Sequence, residues 1–217
     1  MILSPLVSPT PKTGNIVASA LATPPVLRDA SDIAILEATL RCLTRYGIER
    51  MTVEDVARTA GVGRATVFRR FESKDTLIRE ALALELQRLI SEFETKAKSF
   101  DDPYNRLFEL SVETVRLIRT HPVARRLVED ETALPLHRDP RVAEFQLVGL
   151  RRDISQAAKD LGVKVDARAM AELLMRFFGS LWIAPDIGLG VDNEAHIRTM
   201  IAILLAPLRP QKRDATG

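Results

Sequence analysis

The stretch from Thr52 to Phe71 constrains the fold of this chain more than any other, because it predicts two short helices separated by a glycine turn. Thr52 can cap the first helix, and Asp55 lies where a capping box needs an acceptor. Gly61 can adopt the left-handed conformation that ends this helix, and Gly63 lets the next one start at a new angle. The pattern therefore predicts a helix-turn-helix.

The second of these helices has an apolar inner face and a cationic outer face. Val67 and Phe71 lie four residues apart on the inner face. The outer face carries Arg64, Ala65, Thr66, Phe68, Arg69 and Arg70, and Lys74 follows the helix. Basic charge gathered on one face of such a unit is the pattern of a protein that contacts DNA phosphates and bases.

A set of residues at fixed spacing around this unit carries a family resemblance. The set comprises Ile35, Leu36, Ala38, Tyr46, Gly47, Thr52, Val53, Val56, Ala57, Ala60, Gly61, Val62, Thr66, Val67, Phe68, Phe71 and Lys74. With this spacing, the chain resembles the N-terminal domain of the TetR family of bacterial transcriptional regulators over about residues 29–89. Together with the outer-face pattern, the resemblance implies that DNA is contacted by Thr52, Arg64, Ala65, Thr66, Phe68, Arg69, Arg70 and Lys74.

The chain departs from the family pattern at two positions. Phe68 lies where the family usually has a tyrosine whose hydroxyl contacts a phosphate, and phenylalanine cannot make that bond. Gly63 lies where a serine often caps the recognition helix, although glycine at a cap costs only a few tenths of a kcal/mol. We expect Arg69 and Arg70 to restore the phosphate contacts that Phe68 gives up.

The rest of the sequence predicts an all-α chain with two helical domains. We expect a mobile arm over residues 1–28, the helix-turn-helix domain over 29–89 (the unit itself at 52–71), a second helical domain over 90–209 and a tail over 210–217. The predicted helices span residues 32–46, 52–60, 64–71, 73–98, 103–120, 122–131, 141–161 and 167–184, and a last one is capped by Asp192. Proline- and glycine-containing loops are expected at 132–140 and 185–191.

The last two predicted helices carry more apolar surface than one helix-on-helix contact would use. TetR-like proteins dimerise through such a pair, which forms a four-helix bundle across a two-fold axis. The resemblance therefore implies a homodimer whose two recognition helices bind a palindromic operator in double-stranded DNA. The alternative is that both helices only close the core of their own subunit.

The resemblance also implies a small-molecule effector in the second domain. Four large side chains lie in its predicted helices and could line a cavity: Phe108, Phe145, Phe178 and Trp182. His121 and Arg152 could add polar contacts. Aromatic residues at helical spacing also occur as ordinary core, so this second interpretation stays open.

Other chemistry finds little support in the sequence, which predicts no enzyme, no cofactor and no metal site. The histidines His121, His137 and His196 are far apart and have no second ligand at helical spacing. The single cysteine, Cys42, excludes an internal disulfide and is expected to be a buried thiol. No apolar run reaches the roughly 20 residues of a membrane span. We therefore expect a cytoplasmic, nucleoid-associated protein without a membrane partner.

These observations predict a DNA-binding transcriptional regulator, a homodimeric repressor that an unknown small molecule releases from its operator. A second hypothesis is a helical small-molecule binding or scaffold protein without sequence-specific DNA binding. Phe68 and Gly63 favour this alternative, whereas the basic residues of the second helix argue against it.

Overall fold

The computed structural model describes residues 20, 28–130, 140–184 and 193–209, and every regular element within these ranges is helical. The fold class predicted from the sequence is thus confirmed. The helices are α1 (Ala30–Arg50), α2 (Val53–Ala60), α3 (Arg64–Phe71), α4 (Lys74–Ala97), α5 (Pro103–Thr120), α6 (Pro122–Glu129), α7 (Pro140–Asp160), α8 (Ala167–Ile183) and α9 (Glu194–Leu204), followed by a 3-10 turn (Ala206–Leu208).

Several predictions fall outside the described residues. These are most of the arm over residues 1–28, the loops at 132–139 and 185–191, the tail from residue 210, and Asp192. Arg28, at the end of the predicted arm, is described, and its guanidinium binds the Glu80 carboxylate with Nε···Oε2 at 2.9 Å.

Helix starts follow the local cap signals of the sequence. Ser73 Oγ accepts a hydrogen bond from the Thr76 amide at 3.1 Å, and Asp102 Oδ1 accepts one from the Asn105 amide. Helix α9 starts differently from the prediction, because Asn193 and not Asp192 caps it. Asparagine and aspartate are equally good caps, so the sequence pattern could not choose between these neighbours.

Helix α1 is longer than the predicted 32–46, because it starts at Ala30 and continues beyond Gly47 to Arg50. Gly47 has φ 78° and ψ 169°, which lie outside the helical region, and the chain then completes one more turn to Arg50. A side chain at this φ would be strained. The Met51 amide donates back to the Gly47 carbonyl at 3.2 Å, which closes the turn.

The chain divides into two compact units. The first contains α1, α2, α3, α4 up to residue 91, and α6; the second contains the rest of α4, α5, α7 from residue 143, α8 and α9. The sequence pattern had placed everything from residue 90 in the second domain. Helix α6 instead packs on α1, because Gly47 has no side chain and leaves room for Arg126 and Asp130.

Each unit has its own apolar core. The first is centred on the fully buried side chains of Ile35, Leu43, Met51, Val56, Phe71, Leu77 and Ile78. The second is built from Leu107, Val112, Val115, Ile118, Ile154, Met170, Ala171, Leu174, Ile197, Ile201, Leu205 and Leu208. Across the described ranges, no helix has both the length and the apolar character needed to cross a membrane.

Candidate nucleic-acid interface

Helices α2 and α3 form the helix-turn-helix that the sequence predicts. Thr52 Oγ1 accepts a hydrogen bond from the Asp55 amide at 3.1 Å, and Asp55 Oδ2 accepts one from the Thr52 amide at 3.1 Å. This capping box fixes the start of α2. Gly61 ends the helix in the left-handed conformation, with φ 70°. The Thr52 hydroxyl, a predicted DNA contact, is therefore already hydrogen-bonded within the protein.

Helix α3 presents the predicted inner and outer faces. Val67 and Phe71 are buried, whereas Arg64, Ala65, Phe68 and Arg69 are exposed and Thr66 is half-buried. Phe68 is 38% exposed, so a large apolar side chain lies on the outer face of α3. The Arg64 guanidinium lies 5.3 Å from the centre of this ring, a cation–π distance.

The start of α3 has a weak cap. Gly63 precedes the helix with φ −73° and offers no side-chain acceptor. A Cβ atom at this position would meet nothing closer than Thr66 Oγ1 at 3.9 Å. The first amides of α3 therefore lack a capping side chain, and the N-terminal end of a helix favours an anion such as a phosphate.

Arg70 does not project freely from the outer face. Its Nη1 atom donates to Asp29 Oδ2 at 2.9 Å and to Asp32 Oδ1 at 2.5 Å. Both carboxylates belong to the start of α1. The sequence pattern assigns Arg70 the same role as Arg69, because the faces of a helix carry no information about a partner such as Asp29, 41 residues away along the chain.

Lys74 is also engaged within the first unit. Its Nζ atom donates to the backbone carbonyl of Glu49 at 3.0 Å. Burial lowers the pKa of Lys74 from its usual 10.5, although the carboxylates of Asp75 and Glu49 act in the opposite direction. The ammonium has three donors, so this single bond leaves others for a phosphate.

The predicted effector residues lie in or against the second core. Phe108, Phe178 and Trp182 are half-buried beside that core, and the Phe108 ring stacks on Tyr104 with 6.2 Å between centroids. The Arg198 guanidinium lies 5.1 Å from the Phe108 ring centre. The side chain of Phe145 lies outside the described parts of the structure.

The two polar residues suggested for the effector belong to different units. His121 belongs to the first unit, where it caps α6 and its Nε2 atom lies 2.9 Å from Glu85 Oε1. Arg152 is exposed on α7 and pairs with Asp153. A polar contact of either residue with an effector stays a prediction.

An open groove in the first unit was missed by the sequence analysis. Its volume is about 390 Å³, and it is lined by Leu40, Arg41, Thr44, Arg45, Glu85, His121, Pro122 and Val123. No sequence signal could have found it, because its residues come from three separate segments. Within the described ranges, no group of acidic, histidine or cysteine side chains is arranged to hold a metal ion.

Comparison with known proteins identifies the N-terminal region. The family model described as bacterial regulatory proteins, tetR family, matches residues 35–81. An uncharacterized HTH-type transcriptional regulator of Mycobacterium tuberculosis (strain H37Rv) is 31% identical over 88 residues. That match covers 41% of this chain and 44% of the relative, so the similarity spans less than half of either protein.

Solved structures extend the similarity in fold to most of the chain. AibR, crystallised with isovaleryl coenzyme A and operator DNA, has a TM-score of 0.56 at 17% identity and covers 82% of this chain and 99% of its own. FadR from Bacillus subtilis, crystallised with stearoyl-CoA, has a TM-score of 0.60 at 15% identity, with the same coverage. A tetR-family regulator from Pectobacterium atrosepticum has a TM-score of 0.65 at 14% identity, covering 83% and 95%.

Proposed function

We propose that this chain, which belongs to the TetR family of bacterial transcriptional regulators, binds a palindromic operator as a homodimer and represses transcription until a small effector releases it. The observation that carries this proposal is the outer face of α3. There Arg64, Phe68 and Arg69 are exposed beside the uncapped start of the helix at Gly63. Such a face supplies charge for phosphates and side chains for base edges in the major groove.

DNA binding is tested with purified protein and duplexes selected from random sequence. We expect the selected sites to be palindromic. We also expect the affinity to fall steeply with salt, with a slope of log K against log salt of about −0.9 for each phosphate contacted. Arg64→Ala should alter which sequences are selected if this side chain reads a base edge. Equal affinity for selected and random duplexes would rule out a sequence-specific regulator and favour the helical scaffold alternative.

The homodimer is supported by exposed apolar side chains on the last two helices. Leu173 and Ile183 on α8 and Ile203 on α9 are exposed, and the exposed fraction of Ile203 is 68%. Large apolar side chains left in water on neighbouring elements are typical of a surface that another subunit covers. A two-fold dimer would also match the symmetry of a palindromic operator.

The effector of this chain is proposed to be apolar or aromatic, because half-buried Phe108, Phe178 and Trp182 belong to the second unit. A thermal-shift screen with acyl-coenzyme A thioesters, free fatty acids and aromatic metabolites would find ligands, and each hit is then added to the protein–operator complex. A coupling of about 1–3 kcal/mol corresponds to roughly 5- to 150-fold loss of operator affinity. Hits that stabilise the protein but leave operator affinity unchanged would contradict the release mechanism.

A further inference from the structure

An ionic cluster joins the recognition helix α3 to the start of α1. Arg70 near the end of α3 binds Asp29 and Asp32. The Arg28 guanidinium binds Glu80 on α4 and lies 3.5 Å from the Asp32 carboxylate. The same guanidinium lies 5.1 Å from the ring centre of Phe71. Three segments of the first unit therefore meet in one network around the last turn of α3.

The cluster lies at a strained point of the backbone. Glu72, which follows α3, has φ 56° and ψ −48°, a conformation that residues with side chains rarely adopt. Such strain persists where the surrounding structure holds it in place. Arg70, two residues before Glu72, is hydrogen-bonded near the start of α1. Lys74, two residues after Glu72, is hydrogen-bonded near the end of α1.

We infer that Arg70 is a positioning residue, which sets the orientation of the recognition helix by binding Asp29 and Asp32, and that it does not neutralise a DNA phosphate. This inference rests on the proposed DNA binding and assigns Arg70 a role different from that of its neighbour Arg69. Arg69 is exposed, and among the described residues no ion pair engages it.

The charge balance of the cluster supports the inference. Three carboxylates, of Asp29, Asp32 and Glu80, surround two guanidiniums, of Arg28 and Arg70. The cluster is therefore net negative and does not attract a phosphate. Asp32 is buried and depends on these guanidiniums for its partners, because an unpaired buried carboxylate is costly.

The pKa shifts of Arg70 and Asp29 agree with this pairing. The hydrogen bond from Arg70 to Asp32, and next in size the one to Asp29, raise the pKa of Arg70 above its usual value. The hydrogen bond that Asp29 accepts from the Asp32 amide, and next in size the one from Arg70, lower the pKa of Asp29 below 3.8. The native fold thus favours the charged forms of both partners, as expected for a permanent ion pair.

The test compares operator binding of Arg70→Lys, Arg70→Ala and Asp29→Asn, with Arg69→Ala as the matched control. Lysine keeps the positive charge, but its side chain ends one bond short of the Nη1 atom through which Arg70 contacts both carboxylates. Asparagine removes the Asp29 charge and keeps a good helix cap. Affinity is measured against salt, and circular dichroism establishes that each variant is folded.

If Arg70 positions α3, Arg70→Lys and Arg70→Ala should each weaken operator binding roughly tenfold, the loss expected for one charge-assisted pair, with the salt slope unchanged. Asp29→Asn should also weaken binding. The control Arg69→Ala should make the slope shallower by about 0.9 for each phosphate that the variant no longer neutralises.

A phosphate-binding Arg70 gives the opposite pattern. Arg70→Lys would then keep its affinity, Arg70→Ala would lower the salt slope as Arg69→Ala does, and Asp29→Asn would tighten binding by freeing the guanidinium. Any of these results, or unchanged affinity in Asp29→Asn, overturns the inference.

Hydrogen exchange of the α3 amides without DNA provides a measurement independent of the proposed function. Exchange should accelerate in Arg70→Lys but not in Arg69→Ala, because Arg70, unlike Arg69, is paired with carboxylates at the start of α1. Failure of the wild type to bind any duplex would refute the proposed function, whereas equal exchange in the two variants would refute the positioning role.

Discussion

The side chain of Lys74 reaches back to α1 and donates a hydrogen bond of 3.0 Å from Nζ to the backbone carbonyl of Glu49. The last carbonyls of a helix have no partner within it, so a lysine donor stabilises that end. Lys74 thereby joins the start of α4 to the end of α1, while two of its donors stay available for a phosphate.

Lys74→Ala should therefore have two effects. Operator and random duplexes should be bound more weakly by the same factor, and the salt slope should become shallower by about 0.9 for each phosphate released. The free energy of unfolding should also fall by about 1 kcal/mol, because the Glu49 carbonyl loses its donor. Binding titrations at several salt concentrations and urea denaturation measure these effects. Lys74→Arg is the control, and a loss confined to the operator would contradict a phosphate contact.

Gly47→Ala should destabilise the first unit more than the same change at another left-handed glycine. Gly47 has φ 78°, and an added Cβ would collide with the Asp130 carboxylate and lie 2.8 Å from Arg126 Nη2. Strain of about 1–3 kcal/mol is expected from the backbone alone. Gly61 has φ 70° and ψ 28°, in the left-handed helical region, and nothing within 4 Å, so Gly61→Ala introduces a milder backbone strain without a collision.

Urea denaturation of Gly47→Ala, alone and combined with Asp130→Ala, separates backbone strain from the collision. We expect Gly47→Ala to lose more stability than Gly61→Ala, and to lose less stability when Asp130 is already alanine. If Gly47→Ala costs the same in both backgrounds, α6 does not pack against Gly47 in solution.

Ile203→Asp and Leu173→Asp should convert the proposed dimer into folded monomers. Ile203 and Leu173 are exposed on α9 and α8, so a charge there is hydrated in the monomer and costly in a covered interface. Ile201 is unsuitable for this test because it is fully buried in the core of its own subunit. Sedimentation gives the mass, and circular dichroism establishes folding.

Ile90→Asp is the control for the assembly experiment, since Ile90 is exposed on α4. It should leave the sedimentation coefficient unchanged. A wild-type protein that sediments as a monomer at micromolar concentration would contradict the homodimer.

The capping box of α2 should make stability depend on pH. The Thr52 hydroxyl and then the Thr52 amide donate to Asp55, which lowers the pKa of this carboxyl below its usual 3.8. A carboxylate with a lowered pKa contributes stability above its unfolded value, and this contribution is lost as the pH falls through the folded value. We therefore expect Asp55→Asn to be less stable than wild type near neutral pH, and the difference to shrink below pH 3.8.

Urea denaturation across this pH range measures the difference. Glu54→Gln is the control, because Glu54 is exposed and, within the described ranges, its one ion pair is with Arg64, at 4.0 Å. A stability difference for Asp55→Asn that stays constant down to the acid transition would contradict the role of the charged carboxylate.

The sequence by itself determined the helices and the faces of the helix-turn-helix. Thr52 caps α2 as predicted, and Ser73, Asp102 and Asp166 cap α4, α5 and α8 in the same way, because a cap depends on a side chain and amides two or three residues away. The buried pair Val67 and Phe71 was equally predictable, since spacing alone puts both on one face.

Tertiary structure alone decided which side chains are free to act. The sequence treats Arg69 and Arg70 as equivalent, but Arg70 is paired with carboxylates at the start of α1. The sequence likewise leaves open whether apolar side chains of the last helix pack in their own subunit or against a partner, and Ile201 is fully buried in its own subunit. The physical reason is that periodicity fixes only the direction of a side chain on its own helix, whereas its partner depends on how distant segments pack.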